Sequence, residues 1–512
     1  MDQPIELLQS VARNCDNKTE ADYLQFCSES KLFCISNNKR EANISLINSL
    51  LSSKENYIDG LSILEVFVEQ CPKDLLNTNI VSWIQLTIKG LVNPDDDSFC
   101  PLSWKVLGKL IQISTEFPEA RKNIALNMIP KILDHIVREA KNSKKEFSTI
   151  LQCLELTLQA YGKSCGFHKD AVTSLLFYNL EVSPRSIFLA GQCFLNLAAC
   201  GSPGATGDNY ASSWLKQQQF LINSLHSQLD LLFENINEVQ TDYKRFKLQE
   251  AYPAIPKVTE KGLIRKKQRI VKQFQSLAVF LKIMLLGKFP VNKKILPESL
   301  LSLIWRGLVI NNKTLTKFQQ SIDTSSLATV IPLVNLASLE LLDALVISCR
   351  MNLLPFNSLI CRIFSQTLKW TDTEEWPFGI TKPNSALRVR TYECFCNWLS
   401  VTRACSGVGK YTDDVLHSIL SDIHFEPPAV ALKVPGGKGK RSKLNMTEDT
   451  TPLIDFIVNP HMNASVCEAA LKCASILLNT YSAVLKPNDH RRLQESIVRE
   501  IILIQHCQMP PP

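Results

Sequence analysis

Between Leu336 and Gly407 three apolar helical patterns follow one another with little between them: LASLELLDALVISC, MNLLPFNSLICRIFSQTLKW and RVRTYECFCNWLSVTRACSG. In the first, Leu336, Leu339, Leu342 and Val346 recur every three or four residues, which places them on one stripe of a helix. Phe356, Ile360, Ile363 and Leu368 repeat the pattern in the second. Leu341, Leu345, Leu353, Leu354 and Phe364 widen the stripe beyond what one neighbour covers, so these helices need partners on more than one side. That is the pattern of stacked helical hairpins.

The same rhythm extends along the chain. Amphipathic segments at 6–13, 21–36, 41–52, 57–71 and 79–91, then at 102–115, 119–140, 146–161, 169–179 and 184–200, are joined by short polar or proline-bearing turns. Two helices every forty residues or so predict an all-α fold, an irregular armadillo/HEAT-like α-solenoid, although no clean residue-level repeat is visible. GSPGATGDNY at 201–210 predicts a surface loop, and helix resumes over 213–235. Pro253 and Pro256 make 251–262 a linker between an N-terminal half, 1–250, and a second half, 263–424, whose first helix carries Ile270, Phe274, Leu277, Leu281 and Leu285. Residues 371–384 are expected to form a long loop, with Trp376 anchoring it to the solenoid or, as the alternative, to a partner. Residues 425–450, containing EPPAVALKVPGGKGKRSKLNMTED, are too polar and glycine-rich to pack and are expected to be disordered, ahead of a C-terminal helical pair within 451–509.

Composition narrows the class. A chain of 512 residues, 45% hydrophobic and 21% charged, has material for a large core. A net charge of +7 is modest at this length, so any attraction to an anion comes from local clusters. The start, MDQPIELLQSVARNCDNKTE, lacks the apolar run of a secretory signal, and an intracellular chain is expected. The most apolar run identified, 187–200, is interrupted by Gln192 and Asn196 and is shorter than the roughly 20 residues a membrane helix requires, so no membrane contact is expected.

The residues give little chemistry. Seventeen cysteines are irregularly spaced, and Cys193, Cys349, Cys361 and Cys473 fall on apolar helical faces, as buried reduced thiols do. Cys394-Phe-Cys396 and Cys165-Gly-Phe-His168 lack a second ligand pair, so neither a metal nor a cofactor is expected. Ser406-Gly-Val-Gly-Lys410 resembles a phosphate loop by eye, but its first glycine is missing and Tyr411 stands where a Ser or Thr would be needed. His168, His226, His417 and His461 are scattered, and a non-enzyme is expected.

Two basic clusters remain. Lys261, Arg265, Lys266, Lys267, Arg269 and Lys272 open the first helix of the second half. They read as a solvated face or as a contact for RNA phosphate or an acidic partner. Lys438, Lys440, Arg441 and Lys443 lie in the segment expected to be disordered, which suits a nuclear import signal.

The order and wording of NSLLSSKENYIDGLSILEVFVEQCPKDLL, VSWIQL, RIVKQFQSLAVFLKIML, VIPLVNLASLELLDALVISC, SALRVRTYECFCNWL, LHSILSDI and HRRLQESIV carry a resemblance. They resemble the N-terminal helical region of the proline-, glutamic acid- and leucine-rich proteins of animals, members of the Rix family of pre-rRNA-processing factors. The resemblance implies a non-catalytic nuclear scaffold, in nucleolus and nucleoplasm, for large ribosomal subunit maturation and removal of the internal transcribed spacer. It implies a homodimer that assembles with a WD-repeat propeller protein and a HEAT-like partner subunit. It also implies work on the pre-ribosomal large subunit with the Midasin AAA-type ATPase. The acidic tail of the animal proteins has no counterpart before Pro510-Pro511-Pro512, so tail functions are not expected. INSLL at 47–51 and VTSLL at 172–176 depart from an LxxLL box and read as core. A chromatin-associated transcriptional coregulator is the alternative, and a transport adaptor of importin type a third.

Overall fold

A computed structural model describes residues 25–26, 29, 40–91, 101–142, 147–204, 206–238, 243–248, 252–260, 262–373, 380–424 and 462–506. Every regular element among them is helical. The expected helices at 6–13 and most of 21–36, Trp376, His461 and the segment 425–450 lie outside the described residues.

The chain divides into two compact units, 1–296 and 297–512. The first holds α1 (Arg40–Ser52), α2 (Tyr57–Gln70), α3 (Lys73–Leu91), α4 (Pro101–Ser114), α5 (Pro118–Asn127), α6 (Ile129–Asn142) and α7 (Phe147–Tyr161). After them come α8 (Lys169–Tyr178), α9 (Pro184–Ala198), α10 (Asp208–Leu232) and α11 (Leu263–Leu286). One row of contacts runs α2, α4, α7, α9, α11, and a second runs α1, α3, α5, α6, α8, with α10 set against α9 and α11. The second unit holds α12 (Pro297–Val309), α13 (Ile322–Cys349), α14 (Asn357–Thr371), α15 (Ser385–Thr402), α16 (Thr412–Ile423), α17 (Ala464–Tyr481) and α18 (Pro487–His506). Its rows are α12, α13, α15, α17 and α14, α16, α18. In both units the main contacts join elements close in sequence, which is the quasi-one-dimensional packing of a solenoid.

The apolar stripes explain these rows. Phe177 of α8 meets Phe194 of α9, Phe220 of α10 and Phe280 of α11 edge-on, with ring centroids 5.2, 5.1 and 5.6 Å away, so one side chain ties four helices together. In the second unit α12 and α13 approach so closely that a Cβ on Gly307 would lie 2.2 Å from Ser338 Oγ. Asn335 of α13, fully buried, donates through Nδ2 to the carbonyls of Gly307 and Ile310 at 2.7 and 3.0 Å, satisfying acceptors at the C-terminal end of α12. The hairpins α13–α14 and α15–α16 turn by the same device. Each first helix ends on an arginine at positive φ, Arg350 at 48° and Arg403 at 49°, followed by a 3₁₀ segment.

Four local expectations change. Segment 119–140 is two helices, α5 and α6, separated at Met128. Pro130 lacks the N–H that a continuous helix would send back to Leu126, and its ring crowds that carbonyl. The expected linker is non-helical at its described residues but is tied down. Tyr252 stacks on Phe220 of α10 at 4.3 Å, and the Pro256 carbonyl accepts from Gln273 of α11 at 3.2 Å. Helix α11, placed by sequence at the head of a second half, packs against α9 and α10 in the first unit. Among the described residues, the helical stretch long and apolar enough to be a membrane candidate is Ile322–Thr371 rather than 187–200. Of its apolar window 67% is buried inside the fold, as a core helix is.

Phe177→Ala removes the ring shared by four helices. The expected cost is about 3–5 kcal/mol, read as a lower denaturation midpoint, against near-neutrality for alanine at the exposed Phe167.

Candidate interaction surfaces

The residues flagged for chemistry are absorbed by packing. The Ser406 carbonyl accepts from Trp398 Nε1 at 3.0 Å and from Cys361 Sγ at 3.1 Å, so Ser406–Lys410 is a turn pinned to the core around Gly407, whose φ is 77°. Cys165 donates to the Tyr161 carbonyl, while His168 Nε2 lies 3.3 Å from Asp134. Among the described residues no group of three or more His, Cys, Asp or Glu is placed to hold a metal ion. Burial pushes the thiols of Cys153, Cys200 and Cys361 up to about 12 and that of Cys349 to about 11, and lifts Cys193 and Cys394 well above the ordinary range. These thiols are protonated and inert at neutral pH. In the two imperfect leucine boxes Ile47, Leu50, Leu51, Val172, Leu175 and Leu176 are all buried, so their side chains serve the core.

The structure splits the basic cluster on α11. Lys261 lies outside the described residues. Lys267 is 4% exposed, on the packed side of the helix and not the solvated face expected. Arg269 contacts Glu181, at 2.5 Å, and Glu260, and these two carboxylates raise its pKa. Lys266 lies 3.8 Å from Glu234. Glu181 after α8 and Glu234 after α10 are distant in sequence, whereas Glu260 directly precedes Lys261. The grouping has a physical reason: cations in the first turns of a helix oppose its dipole, and nearby carboxylates offset them. Arg265 and Lys272 remain as exposed cations of the cluster. Lys438, Lys440, Arg441 and Lys443 lie outside the described residues.

Sequence reasoning missed a buried ionic node in the second unit. Arg388 of α15, 1% exposed, meets Asp422 of α16 through Nε at 2.7 Å and Nη2 at 2.5 Å. Its Nη1 donates to the Leu368 carbonyl and Thr371 Oγ1 of α14. Tyr392 donates to Asp422 at 2.8 Å, and Lys382 Nζ lies 3.2 Å from the other carboxylate oxygen. Burial and the Asp422 charge push the Tyr392 phenol well up, so it stays a donor. Nearby, a groove of about 740 Å³ is lined by Lys369, Asp372, Asp413, Asp414, His417 and Arg492. Its charges answer one another: Lys369 to Asp414 at 2.7 Å, His417 to Asp372 at 3.7 Å and Arg492 to Asp413 at 4.0 Å. Such a groove has little net pull on an ion.

Apolar surface is the other resource. On α18, Val498, Ile501 and Ile502 share a stripe at helical spacing and are about half exposed, next to Glu500, which pairs with His424 at 2.7 Å. An exposed apolar stripe at helical spacing is a place for another protein surface.

Residues 4–186 match the RIX1 family, described as rRNA processing/ribosome biogenesis. The chain is 28% identical over 474 residues to proline-, glutamic acid- and leucine-rich protein 1 of Xenopus laevis, covering 90% of this chain and 46% of that protein. It is 26% identical over 491 residues to the protein of the same name from Mus musculus, covering 91% and 42%. The chain therefore spans less than half the length of these relatives, and the likeness expected from the sequence is found. Among solved structures, the Rix1-subcomplex of a Rix1-Rea1 pre-60S particle has the same fold, with a TM-score of 0.58 at 13% identity over 99% of this chain and 90% of that one. The all-α, helical-repeat class holds.

Arg388→Met leaves the buried Asp422 carboxylate with only Tyr392 and Lys382 as partners. It is expected to destabilise the protein by about 3–5 kcal/mol in chemical denaturation, with much of the loss recovered in the double variant Arg388→Met/Asp422→Leu. Thiol labelling supplies a second check. At neutral pH a small alkylating agent should reach exposed Cys405 quickly, while Cys153, Cys193 and Cys394 react only after denaturant or at strongly alkaline pH, where raised thiols ionise. Equal labelling of both groups by peptide mass spectrometry would contradict the packing described.

Proposed function

We propose that this chain is a non-catalytic scaffold subunit of a nuclear complex for large ribosomal subunit maturation and processing of the pre-rRNA internal transcribed spacer. The observation that carries this reading is the match of residues 4–186 to a family described as rRNA processing/ribosome biogenesis. Similarity to the two vertebrate proteins over nine tenths of the chain, and a fold shared with the Rix1-subcomplex, support it. That subcomplex is named as part of a Rix1-Rea1 pre-60S particle, so the partners proposed are the pre-ribosomal large subunit and the Midasin AAA-type ATPase, which supplies the ATP chemistry. A WD-repeat propeller protein, a HEAT-like partner subunit and a second copy of the chain complete the proposed assembly.

The physical basis is surface and not reaction. Two helical stacks present long faces, exposed apolar stripes such as Val498, Ile501 and Ile502 suit protein partners, and Arg265 and Lys272 remain candidates for RNA phosphate. Lys438, Lys440, Arg441 and Lys443 would direct nuclear import. The coregulator alternative draws no support from the leucine boxes, whose leucines are in the core.

Affinity purification of the tagged chain from nuclear extract, with mass spectrometry and a northern blot for spacer-containing pre-rRNA after depletion, tests the assignment. Recovery of a WD-repeat protein, a HEAT-like partner and the AAA-type ATPase is expected, with spacer precursor accumulating. Transcription factors recovered with normal pre-rRNA would overturn it.

A further inference from the structure

On the first unit a cavity of about 800 Å³ is bordered by Arg121 and Lys122 of α5, Lys163 in the 3₁₀ segment after α7, and Lys288 just after α11. All four cations are exposed, and no Asp or Glu is among the residues lining it. None of the four is ion-paired among the described residues, where Arg121 donates only to the Ala160 carbonyl, at 3.3 Å. This reverses the situation on α11 and in the 740 Å³ groove, where carboxylates answer the cations. A concave site with one sign of charge focuses its field on an anionic partner.

Two further features define that partner. Leu158, Ala199 and Pro290 give part of the wall an apolar surface, suited to a side chain and not to a bare phosphate backbone. The aromatic rings do not suit RNA. Tyr161 is buried with its hydroxyl 2.6 Å from Ser114 Oγ, and Tyr210 is buried with its hydroxyl donating to the Gly201 carbonyl, so only Phe289 of the lining rings is partly open. Single-stranded RNA is held by several open stacking rings, and a duplex by a broad basic face.

We propose that this cavity binds an acidic peptide segment of a partner protein, with an apolar side chain against Leu158 and Pro290 and flanking carboxylates on Arg121, Lys122, Lys163 and Lys288. The assignment is independent of the ribosomal reading, because it follows from the cavity alone.

The test is fluorescence anisotropy on the full chain with three labelled probes: a peptide alternating aspartate and leucine, one alternating serine and leucine, and a single-stranded RNA. The aspartate–leucine peptide should bind best and lose affinity as salt rises. The double variant Arg121→Glu/Lys163→Glu should weaken it by about tenfold or more, whereas Arg265→Glu/Lys272→Glu on α11 should leave it within about twofold. If melting shows the first variant to be unfolded, Lys122→Ala/Lys288→Ala makes the same comparison with milder changes. Unchanged peptide affinity in the cavity variants, absence of peptide binding, or RNA binding that depends on the same four cations would each overturn the proposal.

Discussion

Helices α9 and α13 cannot bury their apolar surface on one partner. The stripe of α13, widened by Leu341 and Leu345, is covered by α12 on one side and α15 on the other, and α9 is likewise held by α7, α8, α10 and α11. Stability therefore belongs to contacts between neighbours and not to single helices, as in other one-dimensional arrays. The constraint also explains where apolar surface is left over. An inner helix has neighbours on both sides of its row, while α18, the last described helix, is in main contact with α16 and leaves Val498, Ile501 and Ile502 half exposed.

Apolar contact alone would let such helices slide past one another, since leucine on leucine has little directional preference. Buried polar groups remove that freedom. The Arg388 guanidinium must reach Asp422, the Leu368 carbonyl and Thr371 together, which happens in one relative placement of α14, α15 and α16. Asn335 does the same for α12 and α13. A buried ion pair is weak evidence for stability, because desolvation opposes its formation, but leaving either partner alone in the core is costly. The node thus acts on register more than on total stability.

Much of the fold was legible because helical periodicity is local. The stripes of 270–285 and 336–346 appear as packed faces of α11 and α13, and the break expected at 201–210 falls between α9 and α10 except that its last three residues, Asp208 to Tyr210, already belong to α10. What sequence could not give were partners distant along the chain. Arg269 read as solvated because Glu181 lies 88 residues before it, and residues 251–262 read as a separator because the stacking of Tyr252 on Phe220 is a tertiary fact. Arg388 was not singled out at all: in RVRTYECFCNWL nothing distinguishes it from Arg390, yet it is buried against Asp422 while Arg390 is only part-buried and reaches Asp343 and Glu393. Pro130 could have warned of the break between α5 and α6, since a proline one residue into a helix marks a start.

Sorting charges by whether the fold already answers them separates structure from recognition. In the Arg388 node, on α11 around Arg269 and in the 740 Å³ groove, cations and carboxylates meet within the chain, so a partner gains little by replacing a contact already made. Around the 800 Å³ cavity of the first unit four cations stand without carboxylates. Evenly scattered charge keeps a protein soluble, whereas unanswered charge gathered at a cavity is a field waiting for its counterpart. The mild overall charge of +7 conceals this, because an average over 512 residues cannot register four cations that come together from three segments of the chain.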